Sequence, residues 1–306
     1  MRVHVRNIFA SIILIACVTI TIRVFNWEEA FLALRSARLG MLLGWTIPLL
    51  LLIYSIRGFR WLVALGMCFT FSRFWQSLCA NAAAAGLAVV TPFKAGEAIK
   101  VRLLPDQSGA EWRQGVSGFL LERLMDLLGL VGTGIFGALF HFGFYWLSPL
   151  SLLLPLLAGL TLRMLGGHVH RTFPRLGRYL DAFSDTRRVV GTALLSIPLW
   201  LGYAFLWWGA VRSMGVMVGF GEITLVLGGA VLAVAASLVP GGLGVSELSI
   251  RGILIWLGAA VPEAEAAAIG VRLLTPILVV FGVFCLVPLT LYRRHQGGRF
   301  LKSPAD

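Results

Sequence analysis

Charge is scarce in this chain. Only 13% of its 306 residues are Asp, Glu, Lys or Arg, roughly half of what a soluble domain carries. Acidic residues are the scarcer kind, 14 against 26 basic, so the formal net charge is +12. With 58% hydrophobic residues and a mean hydropathy of +0.87, a water-soluble fold is excluded. The basic excess would suggest nucleic acid in a soluble protein. In a membrane protein it has a plainer cause, because cytoplasmic loops collect Lys and Arg, and no nucleic-acid partner is expected. Cysteine is sparse too. Cys17, Cys68, Cys79 and Cys285 are scattered in or near apolar runs, with no disulfide or metal spacing. The five histidines offer no ligand set: His168 and His170 stand in an arginine-rich loop without acidic or cysteine neighbours. No metal or cofactor is expected. No polar stretch exceeds about thirty residues, which argues against a soluble catalytic domain and against an enzyme.

What fills the chain is apolar sequence. A span needs roughly 20 mostly apolar residues. Six segments qualify as full crossings, at about 8–25, 41–58, 115–140, 146–162, 189–212 and 265–292. Arg2 and Arg6 before the first resemble a signal peptide, but no small-x-small cleavage site follows, so an uncleaved helix is expected. With the N-terminus inside, 19 of the 26 basic residues fall on the cytoplasmic side, among them Arg57, Arg60, Lys94 and Lys100. This bias predicts an inner-membrane protein with both termini cytoplasmic. Residues 26–40 fit an interfacial amphipathic helix.

Two further apolar segments, about 75–90 and 223–239, run into motifs that resemble each other. The first is Thr91-Pro92-Phe93-Lys94-Ala95-Gly96-Glu97. The second is Val239-Pro240-Gly241-Gly242-Leu243-Gly244-Val245-Ser246-Glu247. Each has a glycine four residues after its proline, then a glutamate, then an arginine embedded in apolar sequence: Arg123 and Arg272. The offsets match, 148 residues from Pro92 to Pro240 and 149 from Arg123 to Arg272. Proline lacks an N–H and blocks the preceding turn. Glycine accepts left-handed backbone and close approach. Backbone groups freed at such a break cannot face lipid; they must be buried in protein or line a wet cavity. A simple kink is the alternative, since both residues are common in membrane helices.

Paired breaks at corresponding positions of two halves point to a transport site. The predicted fold is therefore one all-α polytopic membrane bundle over residues 1–306. It has about six full spans and two re-entrant helical hairpins, with second arms at 95–104 and 245–259. The pseudo-repeats, at about 41–162 and 189–292, are joined by a basic loop at 163–188. Three crossings separate the breaks, and an odd number inverts the second copy.

Ionisable residues inside apolar helices are costly and are functional by default. Glu122, Arg123 and Asp126 lie within five positions, Glu122 and Asp126 on one helical face. Arg123 should sit about 12 Å deep at 1.5 Å per residue. A structural ion cluster is the plainer alternative. Arg272 has Glu247, Glu97 or the Glu122–Asp126 pair as potential partners. Asn81, in an alanine run, either faces the break or bonds a neighbouring helix. The candidate substrate-binding residues are Asn81, Lys94, Gly96, Glu97, Glu122, Arg123, Asp126, Pro240, Gly241, Gly242, Gly244, Glu247 and Arg272. Arg123, Arg272 and Lys94 would meet a headgroup phosphate. The four carboxylates would balance them, hold a cationic headgroup or move a coupling proton.

Asn81, Thr91-Pro92-x-Lys94-x-Gly96-Glu97 with Lys100, Glu122-Arg123-x-x-Asp126, Pro240-Gly241-Gly242-x-Gly244-x-x-Glu247 and Arg272 together resemble the membrane region of the lysylphosphatidylglycerol synthase family. That region is described as flippase-like and also occurs alone. The full synthases carry a following aminoacyl-transfer domain. This chain ends at Asp306, so lysyl transfer is not expected of it. The resemblance implies movement of a polar-headgroup lipid, a phospholipid or an isoprenoid-linked one, between leaflets. A lipid with an anionic headgroup is the expected partner. A homo-oligomer and enzymes of lipid biosynthesis stay open as protein partners. The alternatives are a membrane transferase with Glu122 or Asp126 as general base, and a scaffold for lipid, hopanoid or envelope biosynthesis.

Overall fold

A computed structural model describes residues 37–90, 92–103, 112–172, 180–237 and 239–300, together with Glu28 and Arg35. The predicted first span at 8–25 and nearly all of the predicted interfacial helix at 26–40 lie outside the described residues. The described residues are helical throughout, without a strand.

α1 (Leu39–Leu65) ends at Gly66, whose left-handed backbone (φ 68°) lets its N–H reach the carbonyls of the last turn. α2 (Phe71–Val90) follows. After Thr91 the chain forms a 3₁₀ segment (Pro92–Ile99), then the one-turn α3 (Lys100–Leu103). α4 (Trp112–His141) is a long helix. A turn and the short α5 (Ser148–Ser151) lead to α6 (Leu154–Thr172). α7 (Asp181–Ser184) precedes α8 (Thr186–Ser213), which starts where the Asp185 carboxylate accepts from the Arg187 N–H at 2.8 Å. α9 (Phe220–Ser237) runs into the 3₁₀ turn Pro240–Gly242, then α10 (Val245–Trp256) and α11 (Val261–Phe300).

Among the described residues, five helices are long and apolar enough to cross a membrane: α1, α4, α8, α9 and residues 261–287 of α11. Only 28–44% of each apolar window is buried inside the bundle. The outward surface is apolar, with Phe284, Val280 and Leu52 more than half exposed. Such a surface suits hydrocarbon, not water.

Three sequence expectations change. The segment at 146–162 is divided between α5 and α6, and its apolar part, Ser148–Met164, is shorter than a full span. The segment before the second break, expected as a half-helix, is long enough to cross. The expected loop at 163–188 is helical as far as Thr172 and again in α7. α7 is anchored, because the buried Ala182 N–H donates to Ser117 Oγ of α4 at 2.8 Å.

The two halves interlock. α2, before the first break, packs along α11; α9, before the second, packs along α4. Glycines set both contacts. A Cβ on Gly282 would stand 2.8 Å from the Ala82 carbonyl and 3.1 Å from Gly86 Cα. A Cβ on Gly228 would stand 2.6 Å from Gly134 Cα. Close approach at small residues drives helix association where lipid removes the hydrophobic force. The main apolar core lies among α1, α2, α8 and α11, around Tyr54, Trp61 and Leu199. A second joins α8 to α11 around Ile223, Ile250 and Ala267.

Candidate functional site

The backbone is irregular at both motifs. In the first, Gly96 folds back on the end of α2: a Cβ there would lie 2.7 Å from the Leu87 carbonyl carbon and 2.8 Å from Ala88 N. In the second, Gly241, Gly242 and Gly244 all have positive φ, at 62°, 62° and 78°, a run that only glycine adopts without strain. The two breaks touch each other, and a Cβ on Gly241 would meet the Val89 carbonyl at 3.1 Å.

Where they meet is a cavity of about 390 Å³. α1, α2, α4, α8, α9 and α11 all contribute walls. Most of the lining is apolar, including Leu50, Ala85, Leu130, Trp207, Val234 and Leu278. The polar part is Tyr54, Arg57, Glu97, Arg123, Asp126, Tyr203, Ser246, Arg272 and Thr275. A mostly apolar hollow with a few convergent polar groups is the usual form of a small-molecule or headgroup site.

Behind the polar wall lies a buried charge network. Asp126 receives Arg60 Nη2 at 2.7 Å on one oxygen and Arg123 Nη2 at 2.6 Å on the other. Arg123 also pairs with Glu97. Arg60 Nε lies 3.3 Å from Glu122, and Arg60 Nη1 donates to Ser196 Oγ at 2.9 Å. Lys100 pairs with Glu122, donates to Asn81 Oδ1 at 3.2 Å and sits 4.5 Å from the centre of the Trp61 ring. Arg57 is held loosely, 3.8 Å from Glu97 and 3.9 Å from Asp126, and donates to Tyr203 Oη at 3.2 Å. Arg272 stands apart from this network. It pairs with Glu247 at 3.1 Å and donates to the Gly241 carbonyl at 3.0 Å. The three acceptors offered to Arg272 by the sequence thus reduce to Glu247.

The candidate residues occupy three places. Glu97, Arg123, Asp126, Gly241 and Arg272 line the cavity. Asn81 and Glu122 lie behind it, fully buried, and hold Lys100. Gly96, Gly242 and Gly244 shape the backbone, and Glu247 restrains Arg272, with Ser246 Oγ donating to its carboxylate at 3.0 Å. The side chains of Lys94 and Pro240 lie outside the described residues.

Sequence reasoning counted Arg57, Arg60 and Lys100 only among the basic residues of the cytoplasmic-side segments. They are 7%, 0% and 1% exposed. The clue was present: the apolar run resumes at Trp61 and continues to Met67, so the arginines interrupt a span and do not end it. Tyr54 and Tyr203 carry no comparable signal.

The chain matches the description "Lysylphosphatidylglycerol synthase TM region" over residues 7–282. It belongs to that family. No curated protein and no solved structure matches it. The family match spans both breaks, the charge network and the cavity, so all these features belong to the lysylphosphatidylglycerol synthase membrane region of this protein.

Proposed function

We propose that this protein moves a phosphate-bearing lipid between the leaflets of the bacterial inner membrane. The observation that carries the proposal is the meeting of Arg57, Arg123 and Arg272 in one cavity between the two broken segments. Guanidinium groups are suited to phosphate. The acyl or isoprenoid chains would stay in the bilayer while the headgroup crosses the polar wall. On this reading the two breaks are re-entrant hairpins of an inverted repeat, with both chain ends in the cytoplasm. Two features support it. Gly134 and Gly282, at the two interlocking contacts, are 148 residues apart, the same offset as Pro92 and Pro240. Each break is also followed by an arginine that reaches the shared cavity.

The test is leaflet exchange of a fluorescent phospholipid in vesicles containing the purified protein. Arg123→Ala and Arg272→Ala are expected to slow exchange at least about tenfold, the scale of a lost charge-assisted contact, while the protein still melts cooperatively. Unchanged exchange in both variants would remove the proposal. A lipid altered chemically instead of moved would indicate a transferase.

A further inference from the structure

Resting on the reading of the cavity as a headgroup site, we propose that a slit between α4 and α9, at Leu127 and Ala235, is a second part of the binding site. It is the port that holds a hydrocarbon chain of the lipid while the phosphate is in the cavity.

α4 and α9 run antiparallel, and their glycines fix the register. A Cβ on Gly228 would stand 2.6 Å from Gly134 Cα. Further along α4, Gly137 lies against Leu225 N, and the Phe140 ring covers Gly221. In the other direction, seven residues carry each helix through about two turns and back to the same face. Leu127 therefore comes opposite Ala235. Continued close packing would bury both. Instead Leu127 is 50% exposed and Ala235 is exposed, and both border the cavity. Leu120, about two more turns along that face of α4, is exposed and does not border the cavity. The face that is sealed at Gly134 has left the bundle by Leu120. Leu127 stands at the transition, with the cavity on one side and the surroundings on the other.

The chemistry of the slit names its occupant. Its walls, Leu127, Leu130, Val231 and Ala235, carry no polar side-chain atom. Arg123, about one turn from Leu127, brings a guanidinium to the same edge, and its side chain is the most exposed cation of the buried network. An apolar cleft joined to a phosphate-attracting group matches the two ends of a lipid. A protein helix is about 10 Å across. It cannot enter between helices whose backbones touch at Gly134 and Gly228, whereas a single hydrocarbon chain can. The chain gains no hydrophobic stabilisation there, since the bilayer it leaves is equally apolar. Its residence in the slit therefore depends on the headgroup contact at Arg123.

The probe is phosphatidylglycerol carrying a diazirine in one acyl chain, in vesicles containing the full-length protein, with photolabelled residues located by peptide mass spectrometry. Label is expected at Leu127 and Ala235 and is expected to fall about tenfold in Arg123→Ala, the scale of one lost charge-assisted contact. Val280 and Phe284, on the outward surface of α11, are expected to keep theirs, because bulk lipid labels them. Leu127→Trp and Ala235→Phe fill the slit at exposed positions, where added volume does not overpack the core. Each is expected to slow leaflet exchange of phosphatidylglycerol about tenfold with little change in melting temperature. Ile135→Trp, at an exposed residue that does not border the cavity, is expected to keep the native rate. No label at Leu127, as when another segment of the protein covers the slit, overturns the port. So does label at Leu127 as strong in Arg123→Ala as in the unaltered protein, or native exchange in both filled variants. If Arg123→Ala slows exchange in any of these cases, the headgroup reading stands without the port. Label at Leu127 that depends on Arg123, in a protein that exchanges no lipid, upholds the port and removes only the translocation reading.

Discussion

Arg60 has no exposed surface and holds Glu122, Asp126 and Ser196 at once. Deleting one partner of a buried ion pair leaves the other charge uncompensated, at a cost of about 3–5 kcal/mol, whereas replacing both with apolar groups is often close to neutral. Arg60→Met is therefore expected to destabilise the protein by about that amount. The double variant Arg60→Met, Glu122→Met is expected to fall short of the sum of the two singles. Thermal melting in detergent measures both. A double variant as damaged as the sum would mean that Arg60 and Glu122 act independently. Lys100 and Asp126 would then be the groups that hold Glu122 and Arg60 in place.

Helices in this protein are joined by what they lack. The α4–α9 contact depends on Gly134 and Gly228, the α2–α11 contact on Gly86 and Gly282. Gly228→Val would put its Cβ 2.6 Å from the Gly134 backbone, which has no side chain to move aside. Overpacking of this kind costs about 1–3 kcal/mol, and here it pries two helices apart. A lower melting temperature is expected for Gly228→Val. Gly252→Val, at a glycine with open space around it, is expected to keep nearly the native value. Equal effects would mean that glycine conformation, not the crossing, governs stability. The same logic explains why both breaks were visible in the sequence while their arrangement was not. Proline and glycine act on their own backbone. That Gly241 comes to lie against the Val89 carbonyl depends on how α2 and α9 are packed.

Across the whole molecule, exposed aromatic side chains form one group near the starts of α2 and α4, with Phe69, Phe71, Trp75 and Trp112, and a second group at the end where α4 stops. Phe142, Tyr145, Trp146 and Trp256 are exposed at this second end, and His141 lies against Trp256 with ring centres 5.5 Å apart. Tryptophan and tyrosine favour the membrane–water interface. α4 reaches this end at His141 and begins at Trp112. Cys68, exposed between α1 and α2, provides a probe of orientation. If both termini are cytoplasmic, a membrane-impermeant maleimide is expected to label Cys68 in inverted vesicles and not in intact spheroplasts. Labelling from the outside would reverse the topology and with it the sides toward which the two breaks face.

Sequence alone determined the solvent of this protein and the places where its backbone departs from regular helix. Both follow from local chemistry: the hydrocarbon preference of apolar side chains, the missing proline N–H and the missing glycine Cβ. It also marked Arg123 and Arg272, because an arginine inside an apolar run is conspicuous. Only the tertiary structure decided that Arg57, Arg60 and Lys100 are interior residues. A charge near the end of an apolar segment reads as a boundary unless its partners are known. Those partners, Glu97, Glu122 and Asp126, come from other parts of the chain. Burial of a charge is permitted by the opposite charges packed around it, and packing is a property of the whole fold.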